Sequence, residues 1–252
     1  MTDNRANNRA NNRDYYDAFS ERYDRGRDRG YHKLIDDQAA ELVRRVGEGR
    51  EVLEVGCGTG LVLQRVAEFA SRAVGIDLSP GMLARARGRG LDVQEGSATA
   101  LPFPDDSFDV AYSFKVLSHV PQLETALAEM LRVVRPGGHL VFDIYNRNSL
   151  RYAIKRVFGP RSTSKQFDEA AISTAFLTPE EVEAKLPPRA RVVGRAGIRV
   201  ITPHPAVFSL PGIGGAIEML EWKLMDSAAL RFAGFSVFTI EKLAEQPTEQ
   251  PA

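Results

Sequence analysis

The sequence predicts an α/β protein built on a doubly wound, mostly parallel sheet with helices on both faces. Strand-like and helix-like segments alternate from residue 51 to residue 145. An apolar run, Val52–Val55, enters the glycine-dense turn Gly56-Cys57-Gly58-Thr59-Gly60 and leaves it into a helix-forming segment. A chain of 252 residues is long enough for one large domain. Alternation of this kind places parallel strands side by side with helices packed above and below.

Each element follows in order. Strands are expected at Glu51–Val55, Ala73–Asp77, Leu91–Glu95, Phe108–Ser113 and His139–Tyr145, and helices at Leu61–Ala70, Pro80–Arg89 and Leu123–Val134. In the last helix Leu123, Leu127, Met130, Leu131 and Val134 form an apolar stripe. Arg135-Pro136-Gly137-Gly138 is expected to stop it and turn the chain into the next strand. Beyond Tyr145 the rhythm changes. Residues Asn148–Phe158 read as a helix with Leu150, Ile154 and Phe158 on one face, and Thr178-Pro179-Glu180-Glu181 opens a short helix with Thr178 as N-cap. Arg191–Ile201 and Ser236–Lys242 read as strands. Between them, residues 202–234 are too long for a hairpin and read either as an insertion over the active face or as a plain connector.

Composition narrows the function classes. Lys+Arg and Asp+Glu are equal at 33 each, so the overall charge gives no reason to expect nucleic acid as a partner. The lone cysteine, Cys57, allows no intrachain disulfide and fits a reducing, cytoplasmic setting. No apolar run approaches the roughly 20 residues of a membrane span. Residues 1–14 are polar, repeat Arg-Ala-Asn-Asn, lack the apolar region of a secretory signal and read as a disordered tail, as does the segment 245–252. No Cys/His/Asp array has metal-ligand spacing, so no metal is expected.

The chemistry-bearing residues gather at the carboxyl ends of the strands, where open α/β sheets bind ligands. Gly56, Gly58 and Gly60 form G-x-G-x-G, not G-x-G-x-x-G, and leave room where a Cβ would clash. Glu54 at the end of the first strand would repel a pyrophosphate and suits a cation or ribose hydroxyls. Asp77 ends the second strand about 20 residues past the loop, where a ribose diol would be held. Ser79 is the better helix cap and leaves Asp77 free for that role.

These motifs resemble those of the class I S-adenosylmethionine-dependent methyltransferases, nearest in flavour to the small-molecule, ubiquinone-biosynthesis-like branch. Val52–Gly60 resembles motif I, Gly75–Met82 the acidic second strand and following helix, Gly96–Asp109 the adenine-side segment, and Arg135–Leu140 the turn before the fifth strand. The resemblance spans roughly residues 15–145 and implies a Rossmann-like sheet of seven strands with the last antiparallel. It implies S-adenosyl-L-methionine as cofactor. Glu54, Gly56, Cys57 and Gly58 would line its methionine and ribose portion, Asp77 would hold the ribose, and Leu78 and Met82 would lie against the adenine. Ser97 and Ala98 would lie at the adenine edge and Phe114 near the sulfonium. Where family members often carry Asp, this chain has Ser97, a weaker acceptor for the adenine amino group.

Tyr15 to Asp24 resembles the Y-D-x-x-A-x-x-Y-D lead-in that folds over the cofactor as a lid. Tyr15, Phe19 and Tyr23 are expected on one helical face, with Tyr15 and Tyr23 against the cofactor. The expected domain runs over residues 15–244, with a lid helix at 15–35 and acceptor-side insertions at about 146–190 and 202–234.

Methyl transfer from a sulfonium needs a general base only when the acceptor must lose a proton. Among the histidines His32, His119, His139 and His204, His119 follows the fourth strand and is the expected base or acceptor-orienting group. His139 sits at the opposite end of a strand and reads as structural, while His204 lies in the late insertion. Tyr145 and Asn146 follow the fifth strand and are candidates to contact acceptor. Arg147–Lys165 carries Arg147, Arg151, Lys155, Arg156, Arg161 and Lys165 with no acidic residue, either a solvated face or a patch for an anionic acceptor or peripheral membrane contact. A small-molecule acceptor is the expected partner. Two other readings stay open: a non-catalytic cofactor-binding or scaffold protein, and an NAD-dependent oxidoreductase, which the glycine spacing and Glu54 disfavour. Acceptor identity and oligomeric state are not encoded in any of these motifs.

Overall fold

Period-two alternation assigns each strand's side chains to one of two apolar layers. In β1 (Glu51–Val55), Leu53 and Val55 face one layer and Val52 the other; in β4 (Phe108–Ser113), Phe108 and Ala111 oppose Val110 and Tyr112. β5 (Val134–Asn146) repeats the split, with Leu140, Phe142 and Ile144 against Val141. One layer is completed by α1 (Gly30–Gly47) and α2 (Leu61–Val66), through Ile35, Ala39, Val43, Val62 and Val66. The other is completed by α4 (Leu123–Val133), through Leu127, Met130 and Leu131. α3 (Pro80–Gly88) packs Leu83 and Ala86 beside Leu63 and Val93 at the sheet's near edge. The computed structural model describes residues 13, 15–18, 20–158 and 174–245, with backbone alone at 154, 155, 157 and 158.

The sheet order is β3-β2-β1-β4-β5-β8-β7, where β2 is Arg72–Asp77, β3 Asp92–Glu95, β7 Ala190–Ile198 and β8 Phe235–Lys242. β1 through β5 pair in parallel, and β8 runs antiparallel between β5 and β7. The order reverses between β1 and β4, which puts the glycine loop after β1 at the switch point. The sheet has eight strands instead of seven, because the two-residue β6 (Phe176–Leu177) pairs with the end of β5.

Arg135–Gly138 departs from the expected turn. β5 already begins at Val134, and the four residues form a bulge between the pairs Phe108↔Val134 and Val110↔His139. Gly137 takes φ +78°, and a Cβ on Gly138 would stand 2.4 Å from the Asp109 carbonyl oxygen. Arg135 clips the bulge to Asp109 at 2.9 Å and Glu51 at 2.6 Å.

After β5 come α5 (Leu150–Phe158) and α6 (Pro179–Glu183), the latter opened by a complete capping box between Thr178 and Glu181. Leu150 is half exposed; the side chains of Ile154 and Phe158, expected on its face, lie outside the described residues, as do Phe19, Arg161, Lys165, the tail before Arg13 and the tail after Glu245. Of the basic run, Arg147 is turned back onto Glu181 at 2.7 Å and Arg151 stacks over the Tyr145 ring.

The segment 202–234 holds a 3-10 turn (Pro205–Ser209), α7 (Ile213–Leu224) and a second 3-10 turn (Ala228–Phe232). It docks on α1 and on the end of β7. Glu221, fully buried, accepts from the Val200, Ile201 and Thr202 amides and the Thr202 hydroxyl at 2.6–3.0 Å. Gln38 of α1 donates to the Glu221 carbonyl at 3.2 Å. None of this segment's described residues lines the cavity described next.

Candidate functional site

A cavity opens at the carboxyl ends of β1, β2 and β4 and encloses about 1000 Å³ of empty space, part of it open to solvent. Its floor is the loop after β1. Gly56, Gly58 and Gly60 have φ of +80°, +54° and +82°, which side chains rarely adopt. At Gly58 a Cβ would meet nothing within 4 Å, because it would project into open space where a ligand can touch backbone. A Cβ on Gly56 would meet Val116 at 2.4 Å, so that glycine lets the segment after β4 close over the loop.

Asp77 organises this floor. Its carboxylate accepts from the Gly58 amide at 2.8 Å and the Ser79 amide at 2.9 Å, tying the ends of β1 and β2 together. Burial raises its pKa, and those amides pull the other way. A carboxylate has about four acceptor positions, so two stay available for a ribose diol. Ser79 caps α3 at the Met82 amide, as expected. Leu78, Met82, Gly96 and Ala98 form an apolar shelf on the same side.

Glu54 stands at the other end. It is buried, receives the Tyr112 hydroxyl at 3.3 Å, and burial pushes its pKa well up, opposed by Lys115. A buried carboxylate with acceptor capacity left over is poised for a cationic group. Beside it lies a charge cluster that the sequence reading did not pick out. Asp36 of α1 has no exposed surface and pairs with Lys115 at 2.6 Å and Arg27 at 3.2 Å, and all three line the cavity. Burial alone would raise the Asp36 pKa; Lys115 and Arg27 outweigh it and hold it low. Lys115 adopts φ +62° two residues past β4, and its amide donates to buried Asp143 at 2.7 Å. Two carboxylates and two cations at one end of a cavity match the ammonium and carboxylate of an amino acid. The one signal in the sequence was Asp36 on the otherwise apolar face of α1, amid Tyr31, Ile35 and Ala39.

The N-terminal segment closes the cavity. Residues 15–18 and 20–23 are helical. Its two aspartates reach the loops just described. Asp17 accepts from the Gly81 amide at 2.8 Å and from the Ser79 hydroxyl. Asp24 accepts from the Thr59 hydroxyl at 2.6 Å and pairs with Arg89 at 2.7 Å.

Most of the expected residues converge here: Glu54, Gly56, Cys57, Gly58, Asp77, Leu78, Met82, Ala98, Phe114, Tyr23 and His119 all line the cavity. Cys57 is buried, and burial pushes its thiol pKa far up, against a nucleophilic role. Two positions are corrected. Tyr16, not Tyr15, lines the cavity. Seven residues are close to two helical turns, so Tyr16 and Tyr23 share a face, whereas Tyr15 packs edge-on against Tyr16 at 5.4 Å. Ser97 does not line the cavity; its neighbours Gly96 and Ala98 do, because extended backbone alternates. The Ser97 hydroxyl lies 3.0 Å from that of Thr99.

His119 is buried at the cavity wall, with Nε2 3.4 Å from the Tyr145 hydroxyl and Nδ1 3.3 Å from the Thr174 hydroxyl. Asn146 is a further correction: its amide nitrogen donates to the Arg231 and Ala233 carbonyls at 2.9 and 3.0 Å, which fastens the late insertion and leaves it no part in the cavity. His204 accepts from the Ala206 amide and caps a 3-10 turn. His139 resumes the pairing of β5 after the bulge, at the far end of the sheet. His32, beside Asp36, has its pKa pulled down to about 4 by burial and the cations Arg27 and Lys115. Among the described residues no group of His, Cys, Asp or Glu could hold a metal ion, and no helix is long and apolar enough to cross a membrane.

S-adenosylmethionine fits this donor set on the structure's own terms. The open space at Gly58, the remaining acceptor positions of Asp77 and the paired charges around Glu54 answer its ribose and amino-acid ends. Comparison with known proteins agrees. Residues 53–142 match the family described as a methyltransferase domain. The chain is 35% identical over 154 residues to a malonyl-[acyl-carrier protein] O-methyltransferase of Serratia marcescens, covering 55% of this chain and 60% of that one. It is 38% identical over 128 residues to a demethylmenaquinone methyltransferase of Renibacterium salmoninarum, covering 50% and 52%. The chain thus spans about half the length of the curated relatives it matches. Among solved structures, an S-adenosylmethionine-dependent methyltransferase of Thermotoga maritima superimposes with TM-score 0.70 at 22% identity, over 91% of this chain and 99% of that one. The N-methyltransferase NodS of Bradyrhizobium japonicum, solved with S-adenosyl-L-homocysteine, gives 0.61 at 18%, over 92% and 98%. Residues 53–142 of this chain match the methyltransferase domain family, and the chain carries the α/β fold of these solved methyltransferases.

Proposed function

We propose that this chain moves the methyl group of S-adenosylmethionine to a small-molecule acceptor. The observation that carries the reading is the convergence of Gly58, Asp77 and Glu54 on one cavity whose wall includes Tyr16, Phe114, Val116, Val120 and His119. The donor supplies an activated methyl on a positive sulfur with a neutral thioether as leaving group. The protein's share is alignment and exclusion of water. Asp77, held in place by the Gly58 amide, orients the ribose end. The Glu54, Asp36, Arg27 and Lys115 cluster fixes the amino-acid end, and the Asp17 and Asp24 contacts hold the N-terminal segment over both. The apolar wall favours an acceptor with an apolar body. His119 is the group to accept a proton at Nε2 from an acceptor hydroxyl; its contact with Tyr145 is long for a hydrogen bond and cheap to exchange for one with a ligand.

The experiment is turnover of methyl-labelled S-adenosylmethionine against a panel of phenols, quinols, carboxylic acids and amines. Label transfer to one class supports the reading, with a hydroxyl acceptor losing most turnover in His119→Asn. Cofactor binding without transfer to any of them favours the scaffold reading.

A further inference from the structure

One charged side chain in the cavity wall is left unused by the reaction described so far. Among the described Arg, Lys, Asp and Glu residues that line the cavity, Asp77 stands at the ribose end, and Glu54, Asp36, Arg27 and Lys115 gather at the amino-acid end. The remaining one is Arg13. Its guanidinium pairs with Glu95 at 3.2 Å. Glu95 ends β3 and lies opposite Asp77 in the strand register. The next residue, Gly96, belongs to the apolar shelf with Leu78, Met82 and Ala98. Arg13 therefore stands past Asp77, beside the shelf, at the end of the cavity away from Glu54.

It reaches that place from the covering side. The shelf is built by α3 and by the segments that follow β2 and β3. Arg13 belongs to the N-terminal segment that closes the cavity, four residues ahead of Asp17, whose carboxylate holds that segment to the Ser79 hydroxyl and the Gly81 amide. The shelf has little polar recognition of its own: Ser97 does not line the cavity, and its hydroxyl lies 3.0 Å from that of Thr99. A purine seated on apolar side chains has its second face open. A guanidinium is planar and weakly hydrated, and it stacks on such faces. The pair with Glu95 runs through one nitrogen at the rim of the plane and leaves the faces for stacking. Both side chains are about half exposed, so the pair adds little stability by itself; what it does is aim the guanidinium.

Resting on the methyl-donor reading above, we infer that the Arg13 guanidinium stacks on the outer face of the donor's adenine and holds the base against the shelf of Leu78, Met82 and Ala98. The N-terminal segment then grips the base end of the cofactor as well as covering its reacting end.

The test is calorimetric titration of S-adenosylhomocysteine into wild-type protein, Arg13→Ala and Arg13→Lys, with thermal melts alongside. Lysine keeps the charge and the reach to Glu95 but has no plane to stack. The expected result is affinity weakened about two- to fivefold in Arg13→Ala, no recovery in Arg13→Lys, and the same melting temperature for all three apo proteins. Wild-type affinity in Arg13→Ala overturns the inference. Wild-type affinity in Arg13→Lys overturns it as well, since Arg13 would then be an ion-pair latch for the N-terminal segment and nothing more. If the wild-type protein does not bind S-adenosylhomocysteine, it is the methyl-donor reading that has failed.

Discussion

Replacing Asp77 by asparagine tests the floor of the site in isolation. The carboxylate spends two acceptor positions on the Gly58 and Ser79 amides, at 2.8 and 2.9 Å, and keeps two for a diol. Asparagine turns one oxygen into a donor. Whichever way its amide sits, one backbone N–H faces an NH2 group, and one ribose hydroxyl loses a charged acceptor. A hydrogen bond to a charged group contributes about 1.5–3 kcal/mol, so S-adenosylhomocysteine should bind roughly ten- to hundredfold more weakly. The apo protein should keep its melting temperature within a few degrees, because burial already disfavours the charged form of Asp77 and the neutral amide relieves that cost. Wild-type affinity should also weaken as pH falls toward the raised pKa of Asp77, while the variant's affinity should not follow pH in that range. The assay is isothermal titration across a pH series with thermal melts alongside. If the Asp77→Asn variant binds S-adenosylhomocysteine within threefold of wild type at neutral pH, the ribose assignment is refuted.

Other consequences can be measured separately. Glu221→Ala leaves the buried Val200 and Thr202 amides unpartnered, each costing about 1–3 kcal/mol; the melting temperature should drop by roughly 6 °C or more, and an unchanged melt would show that the late insertion is not fastened there. Asp143 is buried with its pKa raised to about 7, against 3.8 for the unperturbed group. Its folded-state pKa lies above the unfolded one, so the stability it contributes is complete below pH ~4 and is lost as pH rises to ~7. Asp143→Asn should therefore gain stability over wild type progressively between those limits and hold a constant advantage above them; a pH-independent difference in urea midpoints contradicts this. Asp24→Ala cuts the ties to Thr59 and Arg89, and S-adenosylhomocysteine should dissociate several-fold faster in stopped-flow displacement, since lost contacts act mainly on release; an unchanged rate means the N-terminal segment does not gate the cavity.

Local signals in the sequence carried much of this architecture. The strand–glycine–helix passage at Val52–Gly60 and the acidic end of β2 lie where the cavity floor forms, and both are legible because they depend on spacing along a few residues. What depended on helix phase or on contacts between distant segments was harder. Tyr15 and Tyr16 differ by one position, which on a helix is 100°, and only docking through Asp17 shows which ring faces inward. The Asp36–Lys115 pair joins residues 79 positions apart, so neither member announces the other in the chain. Asn146 looked like an acceptor contact because it ends β5; its amide is instead taken by carbonyls near residue 232, which no periodicity predicts. The two-residue β6 is too short to give a pattern of its own. Acceptor specificity is the least legible part, since the wall beyond Phe114 and His119 is drawn from side chains on several separate elements.

The central claim is that the loop at Gly56–Gly60 receives a sulfonium methyl donor and not a dinucleotide. Calorimetric titration of the full chain with S-adenosylhomocysteine and, separately, with NAD tests it most directly. The account predicts one-site binding of S-adenosylhomocysteine, weakened roughly ten- to hundredfold in Asp77→Asn, and no heat from NAD. Saturable NAD binding with no response to S-adenosylhomocysteine would contradict it.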